Sequence, residues 1–281
     1  YCSFFRQSVS AGFIRDSLAG GDHAAGGYRF SGGLVVARLV GDKVTGTMKS
    51  SSEASRKPVR SYVLRPGRMT SGQKAALESH WRRYGLDVAD GMLAPQRIFG
   101  RSAPTVLEIG FGMGDSLLEM AQQRPEVDFV GVEVHPPGVG RLLMACEERG
   151  VDNVRVYRHD AVEVLERCIA DASLAGVQVY FPDPWPKKKH HKRRLIQAPL
   201  LAMLTGKLAP GGYLHLATDW QPYAEQMLDL LEAQQGLRNR AGEGQYAPRP
   251  QWRPRTKFER RGERLGHGVY DLLFEKLPGA S

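Results

Sequence analysis

The segment TVLEIGFGMG, residues 105–114, decides the fold of this chain. Its first five residues are mostly apolar and β-branched, which predicts a buried strand. Glycines then occupy every second position, and the apolar residues of 117–120 predict a helix. Glycine permits a tight turn and lets a ligand approach the backbone closely. The segment therefore predicts a strand–turn–helix unit with a ligand site at its turn.

Strand and helix patterns alternate outward from this unit. Strands are predicted at 105–109, 128–133, 154–157, 177–181, 213–217 and 269–275, and further helices at 73–84, 138–148, 161–169, 198–208 and 223–231. Repeated strand–helix units are typical of a parallel sheet with helices on both faces. We predict an α/β fold: a Rossmann-like, doubly wound, mainly parallel sheet of seven strands.

The first 47 residues differ from the rest of the chain, because they are rich in glycine and show no sustained period. Met48 is followed by a polar stretch that is ordinary for the start of a soluble protein. We expect Met48 to be the natural initiator, and the alternative is that 1–47 form a genuine disordered arm. Residues 1–72 are predicted to be a disordered extension, and residues 73–281 to form the folded domain.

Basic charge is concentrated in a few segments of this chain of 281 residues, whose net charge is +9 and sequence pI about 9.6. Segments 56–68 and 187–194 carry five and six basic residues and no acid, and 238–264 carries nine against three acids. Three such segments together favour a polyanionic partner.

Composition argues against several classes of protein. The chain contains no apolar run long enough to predict a membrane span. It also contains no C-x-x-C or H-E-x-x-H pattern, which would predict a metal site. Three widely spaced cysteines, Cys2, Cys146 and Cys168, fit reduced thiols in a cytoplasmic protein.

Acidic residues mark the predicted ligand site. The glycine spacing is G-x-G-x-G, and Asp115 stands where a dinucleotide-binding turn needs a small residue. An acid there repels a pyrophosphate but tolerates a cationic ligand. Glu133 ends the second strand, where an acid commonly binds ribose hydroxyls, and Asp160 follows the third strand, in reach of an adenine amino group. This pattern favours S-adenosylmethionine as the cofactor, bound by Glu108, Gly110, Gly112, Gly114, Glu133 and Asp160.

The segment QVYFPDPWPKKKHHKRR, residues 178–194, indicates the substrate. Asp183 follows a predicted strand at the point where open α/β sheets place their active sites. Trp185 then precedes a dense cationic run, a pattern that suits stacked bases and a phosphate backbone. His190 and His191 lie within that run, which favours phosphate contacts over a metal site. The segment therefore predicts chemistry on a nucleic acid.

Three motifs together resemble those of the tRNA (guanine-N7-)-methyltransferases. They are EIGFGMG at 108–114, FPDPWPKKKHHKRR at 181–194 and TKFE at 256–259, and the resemblance extends over about 65–278. It implies a class I S-adenosylmethionine-dependent methyltransferase that acts on tRNA and methylates N7 of a guanine in the variable loop, guanosine 46 in tRNA numbering. From the sequence we expect no metal, and no obligate protein partner is evident.

The resemblance also implies roles for individual residues. Asp183 is expected to bind the methyl donor and to be the catalytic residue. The substrate is expected to contact Lys187, Asp219, Thr256, Lys257, Phe258 and Glu259, and RNA to contact Lys189, His190, His191, Lys192, Arg193 and Arg194.

Several alternatives remain open at this point. Asp183 could stabilise charge on the guanine or only orient its ring, and Trp185 could stack on a base or pack beneath the loop. Asp219 could bind guanine, cap the next helix, or do both. Two other classes are a nicotinamide-dependent oxidoreductase, which Asp115 disfavours, and a non-catalytic RNA-binding protein, which the intact set of acids disfavours.

Overall fold

A sheet of eight strands lies at the centre of the described part of the chain. The computed structural model describes residues 68–256, Glu259 and 268–279, which all fall within one compact unit, Arg56–Ser281. The helices are α1 Ser71–Tyr84, α2 Pro95–Phe99, α3 Asp115–Gln123, α4 Pro136–Glu148, α5 Ala161–Cys168, α6 Ala198–Lys207 and α7 Gln221–Glu232. The strands are β1 Gly85–Leu86, β2 Thr105–Ile109, β3 Asp128–Val132, β4 Val154–Tyr157, β5 Leu174–Tyr180, β6 Leu208–Thr218, β7 Leu237–Asn239 and β8 Tyr270–Lys276.

The strand order is β1-β4-β3-β2-β5-β6-β8-β7. All neighbours from β1 to β6 pair in parallel, and β8 pairs antiparallel with both β6 and β7. The predicted doubly wound, mainly parallel sheet is confirmed, with one strand more than the predicted seven. No predicted segment covers β1 and β7, which have two and three residues, because strands this short show no measurable period.

Helices cover both faces of the sheet. Consecutive residues of β2 point to opposite sides: Val106 packs in one hydrophobic cluster with residues of α1, α3 and α4, and Leu107 in another with residues of α5, α6 and α7. Every residue of β2 and β3 is buried, which explains their nearly continuous apolar sequence. None of the helices in the described ranges has the length and apolar content needed to cross a bilayer.

The largest difference from the predicted boundaries is in β6. We predicted a helix to 208 and a strand from 213, whereas α6 ends at Lys207 and β6 begins at Leu208. Leu208 pairs with Leu174 and Tyr213 with Gly176, so the residues between them form an irregularity in the pairing with β5. The Pro-Gly-Gly sequence, which favours a turn, is thus absorbed as a bulge within the strand.

Helix α1 begins at a capping box. Gln73 donates its backbone N–H to Thr70 Oγ1 at 3.2 Å, and Thr70 N–H donates to Gln73 Oε1 at 2.9 Å. Residues 71 and 72, which we predicted to be disordered, form the first turn of this helix. Residues 68–70 of the predicted extension are also described, whereas 1–67, which include Met48, lie outside the described residues.

The contact between α1 and α4 depends on a glycine. A Cβ on Gly140 would lie 2.5 Å from the carbonyl oxygen of Gln73 in α1, which is far inside van der Waals contact. We expect Gly140→Ala to destabilise the protein by about 1–3 kcal/mol, because the two helices must separate. Gly206→Ala in α6 is the matched control, since a Cβ there meets nothing within 4 Å.

Gly206→Ala should instead raise the free energy of unfolding by roughly 0.5–1 kcal/mol, because alanine loses less backbone entropy in a helix. Urea denaturation of both variants measures the difference. Equal stabilities for the two variants would contradict the close helix contact.

Candidate active site at the carboxyl edge of the sheet

Five acidic residues lie at the carboxyl ends of five adjacent parallel strands. Glu108 is the penultimate residue of β2, Glu133 follows β3 directly, Asp160 follows β4, Asp183 follows β5 and Asp219 follows β6. Parallel neighbours end at the same edge of a sheet, so the fold brings all five predicted acids to one edge. The order of the strands reverses between β2 and β5, which is where open sheets of this kind bind their ligands.

The glycine turn between β2 and α3 has a left-handed backbone at each glycine. The φ angles of Gly110, Gly112 and Gly114 are 76°, 59° and 78°, a region that costs other residues free energy. A Cβ on Gly110 or Gly112 would meet nothing within 4 Å. The turn is therefore lined by open space on the side where these glycines lack side chains.

Glu133 holds this turn against the neighbouring strand. Its Oε2 accepts the N–H of Gly112 at 2.8 Å, and its Oε1 accepts the N–H groups of Val134 and His135 at 2.7 and 2.9 Å. Gly138 packs beneath the same turn, because a Cβ there would lie 2.0 Å from the carbonyl oxygen of Gly112. Glu133 thus fixes the shape of the glycine turn at the candidate site.

Glu108 is a buried acid that lacks a full set of partners. Its side chain is only 2% exposed, and Oε2 has no hydrogen-bond partner among the described residues. Burial, with a further contribution from Glu133, raises the pKa of Glu108 to about 8. At neutral pH the carboxyl group is therefore largely protonated, and a cation brought next to it would favour its ionised form.

The two acids at the outer strand ends have different surroundings. Asp160 is the N-cap of α5, and its Oδ1 accepts the N–H of Val162 at 2.8 Å, which leaves Oδ2 for a ligand. Asp219 is exposed and does not cap α7. Trp220 occupies that cap position and donates its N–H to Thr218 Oγ1 at 3.2 Å. The alternative interpretation of Asp219 as a helix cap is therefore wrong.

Asp183 lies in a strained loop after β5. Phe181 and Trp185, which flank it, have φ angles of 50° and 42°, and residues other than glycine rarely adopt them. The Asp183 carboxylate is exposed and makes no hydrogen bond or ion pair with a described residue. Strained backbone of this kind clusters at functional sites, and here it presents one carboxylate at the sheet edge.

The basic segment after this loop forms a 3-10 helix, Lys188–Arg193. The Arg193 guanidinium lies over the Trp185 ring at 4.9 Å, and the His190 ring contacts the edge of the same indole at 5.8 Å. Trp185 is half-buried and its Nε1 has no partner among the described residues. The indole thus supports the basic helix, and the exposed lysines 187, 188, 189 and 192 remain available to a ligand.

The burial of Arg194 disagrees with its predicted contact with RNA. It is only 3% exposed, its Nε donates to the carbonyl oxygen of Pro184 at 2.9 Å, and its Nη1 donates to Gln226 Oε1. Its guanidinium also lies 4.7 Å from the ring centre of Tyr223. A side chain with these partners cannot reach a phosphate, so Arg194 attaches the Asp183 loop to α7.

Thr256 and Glu259 form a capping box rather than a pair of free ligands. Glu259 N–H donates to Thr256 Oγ1 at 3.1 Å, and Thr256 N–H donates to Glu259 Oε2 at 3.3 Å. Both carboxylate oxygens also accept from Arg253, at 2.7 and 2.8 Å. Glu259 is only 3% exposed, so little of its carboxylate is open to a substrate in this structure. Lys257 and Phe258 lie outside the described residues.

Sequence reasoning missed the residues that support this motif. Arg253 was counted only as part of a basic segment, yet it is fully buried and also binds Asp271 of β8. His215 of β6 binds the same carboxylate at 2.8 Å. The available signal was the charged and ionisable residues inside the strands predicted at 213–217 and 269–275, because such residues are rarely buried without a partner.

Known proteins match most of this chain. A family model described as "Putative methyltransferase" matches residues 102–272. A tRNA (guanine-N(7)-)-methyltransferase of Alcanivorax borkumensis is 61% identical over 218 residues, which are 78% of this chain and 91% of that protein. The protein of the same name from Pseudomonas aeruginosa is 57% identical over 219 residues, which are 78% of this chain and 90% of that protein.

Among solved structures, the 16S rRNA methyltransferase KamB aligns with 65% of this chain and 92% of its own, with a TM-score of 0.48 and 15% identity. A likeness of this extent carries no information about the reaction. The identities with the two bacterial relatives are far higher and extend over nearly their whole length. The chain belongs to the family of the tRNA (guanine-N(7)-)-methyltransferases.

Proposed function

We propose that this protein transfers the methyl group of S-adenosylmethionine to N7 of a guanine in tRNA, guanosine 46 of the variable loop. The products are 7-methylguanosine in tRNA and S-adenosylhomocysteine. The observation that carries the proposal is the exposed Asp183 between an open glycine turn and an exposed basic helix. The names of the relatives support the choice of tRNA and of N7.

The residues around the glycine turn fit the methyl donor. The unpartnered Oε2 of Glu108 suits an ammonium group, and the open space at Gly110 and Gly112 admits a ligand close to the backbone. Asp160 has an oxygen left for an adenine amino group. Glu133 keeps the turn in place and is also proposed to contact the ribose.

The proposed reaction does not require a general base. N7 of guanine carries an in-plane lone pair and no proton, so it attacks the methyl carbon directly while the sulfonium–carbon bond breaks. The sulfur becomes a neutral thioether, and the positive charge passes to the guanine. Catalysis then depends on alignment and on negative charge near the developing guanine cation. Asp183 supplies such a charge, either by stabilising the cation or by accepting a hydrogen bond that orients the ring.

The remaining site residues are proposed to hold the tRNA. Lys187 and Asp219 are exposed at the sheet edge that carries Asp183, and we assign them to the target nucleotide. Lys189, His190, His191, Lys192 and Arg193 are assigned to phosphate contacts. Residues 256–259 are assigned to the target nucleotide, with Glu259 acting through the capping box.

Two free, buried cysteines, Cys146 and Cys168, support a cytoplasmic protein with reduced thiols.

The proposed reaction is tested by incubating the protein with unmodified tRNA transcript and S-adenosylmethionine, followed by nucleoside mass spectrometry. We expect 7-methylguanosine, and a loss of turnover on the order of 100-fold or more in Asp183→Ala, because the aligned charge is removed. Binding of tRNA should be retained in this variant.

Other outcomes would favour the alternative functions. A different methylated nucleoside would overturn N7 as the target. Bound tRNA with no methylation, and cellular phenotypes unaltered by Asp183→Ala, would favour a non-catalytic RNA-binding protein. Thermal stabilisation by NADH would favour an oxidoreductase.

The assignment of the basic helix is tested by the salt dependence of tRNA binding. Replacing Lys189 and Lys192 by alanine should weaken binding and reduce the slope of log K against log salt by about 0.7–0.9 for each lost phosphate contact. Lys207→Ala is the control, since Lys207 lies at the amino end of β6 and binds Asp171. Filter binding at several salt concentrations measures both, and equal slopes in the two variants would contradict the assignment.

The role of Glu108 is tested by the protons released when S-adenosylhomocysteine binds. The carboxyl group has a pKa of about 8 in the free protein, and an ammonium group beside it lowers that pKa. Binding at pH 7 should therefore release close to one proton, and affinity should rise with pH up to about 8 and then level off.

Calorimetry in buffers of different ionisation enthalpy measures this release. Glu108→Gln should abolish it and weaken binding, whereas Glu119→Gln, at an exposed position on α3, should change neither. A release that persists in Glu108→Gln would assign the proton to another group.

A further inference from the structure

A row of buried polar side chains crosses the sheet away from the glycine turn. Tyr180 of β5 contacts His215 Nδ1 through its hydroxyl group at 3.0 Å, and His215 Nε2 lies 2.8 Å from Asp271 Oδ1 of β8. His215 is 0% exposed and Asp271 2%. Burial lowers the pKa of His215, and its bond to Asp271 offsets this only in part. The imidazole is therefore neutral at pH 7, which fits an Nε2–H donor and an Nδ1 acceptor.

Arg253 continues the row to the Thr256–Glu259 capping box. Its Nε and Nη2 donate to the two oxygens of Asp271 at 2.7 and 2.8 Å, while Nη1 and Nη2 donate to the two oxygens of Glu259 at 2.7 and 2.8 Å. The guanidinium is thus bidentate to two carboxylates and is 0% exposed. Burial raises the pKa of Asp271, but the hydrogen bonds from His215 and Arg253 outweigh this and hold the pKa below its ordinary value.

The same guanidinium also touches the loop that carries Asp183. Its carbon lies 5.8 Å from the ring centre of Phe181 and 5.9 Å from that of Tyr180. Phe181 is one of the two strained residues of that loop and lies two positions before Asp183. Arg253 therefore contacts both segments that are assigned to the target guanine, although it is too deeply buried to contact the guanine itself.

We propose that Arg253 is a positioning residue, which orients Glu259 and its capping partner Thr256 relative to the Asp183 loop and so assembles the guanine site. The inference rests on the proposed function, since it takes these two segments as the guanine site. It requires the two-carboxylate geometry of a guanidinium, because an ammonium group cannot make parallel bonds to both Glu259 and Asp271.

The first test compares Arg253→Lys with Arg101→Lys. Arg101 pairs with the buried carboxylate of Asp128 at 2.6 Å, at the amino end of β3 and far from the site. We expect Arg253→Lys to lower kcat/KM on tRNA on the order of 100-fold through misalignment, while the affinity for S-adenosylhomocysteine stays unchanged. The control should keep its kcat/KM. Equal kcat/KM in the two variants, or a matching loss of cofactor affinity in Arg253→Lys, would overturn the proposal.

A second test does not depend on methyl transfer. Hydrogen exchange at the amides of Thr256 and Glu259, which donate within the capping box, should quicken in Arg253→Lys and stay unchanged in Arg101→Lys. Unchanged exchange in both variants would overturn the proposal even if the wild-type protein methylated another nucleoside. Failure of the proposed function is seen separately, as a missing or different product from the wild-type protein.

A double-mutant cycle of Arg253→Lys and Glu259→Gln tests whether Arg253 acts through Glu259. Glu259→Gln removes the charge that Arg253 binds and leaves Arg253 in place. If Arg253 acts by holding Glu259, the kcat/KM of the double variant should be close to that of the less active single variant, because the two residues act as one unit. Losses that multiply would show that Arg253 acts independently of Glu259 and would overturn the proposal.

Discussion

Parallel pairing of β2 with both β3 and β5 is the constraint on which the site depends. The register places Glu108 beside Gly131 on one side and beside Gln178 on the other. Because all three strands run in one direction, each carboxyl end must deliver its next residues to the same edge. Chain segments that are distant in sequence meet there without any loop having to reach across the sheet.

The antiparallel strand β8 serves the site differently, by bringing Asp271 beneath Arg253. A guanidinium buried with two carboxylates carries a large desolvation cost, so this group is weak evidence for stability. Its geometry is stronger evidence for a role in positioning, since four nitrogen–oxygen contacts of 2.7 to 2.8 Å join Arg253 to Glu259 and to Asp271 of β8. We infer that such an arrangement favours one placement of Glu259, at an energetic cost that hydrophobic packing would avoid.

The sequence predicted the sheet, the glycine turn and the acids at the strand ends because each has a local signature. Apolar runs, glycine spacing and an acid after a strand can be read within ten residues or fewer. The structural role of Arg194 could not be read this way, because its partners, Pro184 and Gln226, lie ten and thirty-two positions away. Sequence alone does not distinguish it from the neighbouring Arg193, which lies on the Trp185 ring. The burial of Glu259 against Arg253, six positions away, was also not predicted, because the sequence analysis assigned Glu259 only to a substrate contact.

Two buried polar atoms without partners lie on neighbouring strands at the candidate site. Glu108 Oε2 and Gln178 Oε1 are both buried and unpartnered among the described residues, and their residues are register neighbours on β2 and β5. Gln178 uses its amide nitrogen on Tyr213 at 2.8 Å, so its oxygen still lacks a donor. Leaving two acceptors unmet in a core costs free energy that apolar residues would not incur. In the free protein, protonation of Glu108 reduces this cost, and a cationic ligand would remove the need for the proton. The burial that destabilises the Glu108 carboxylate thus makes it responsive to the charge of the cofactor proposed to bind there.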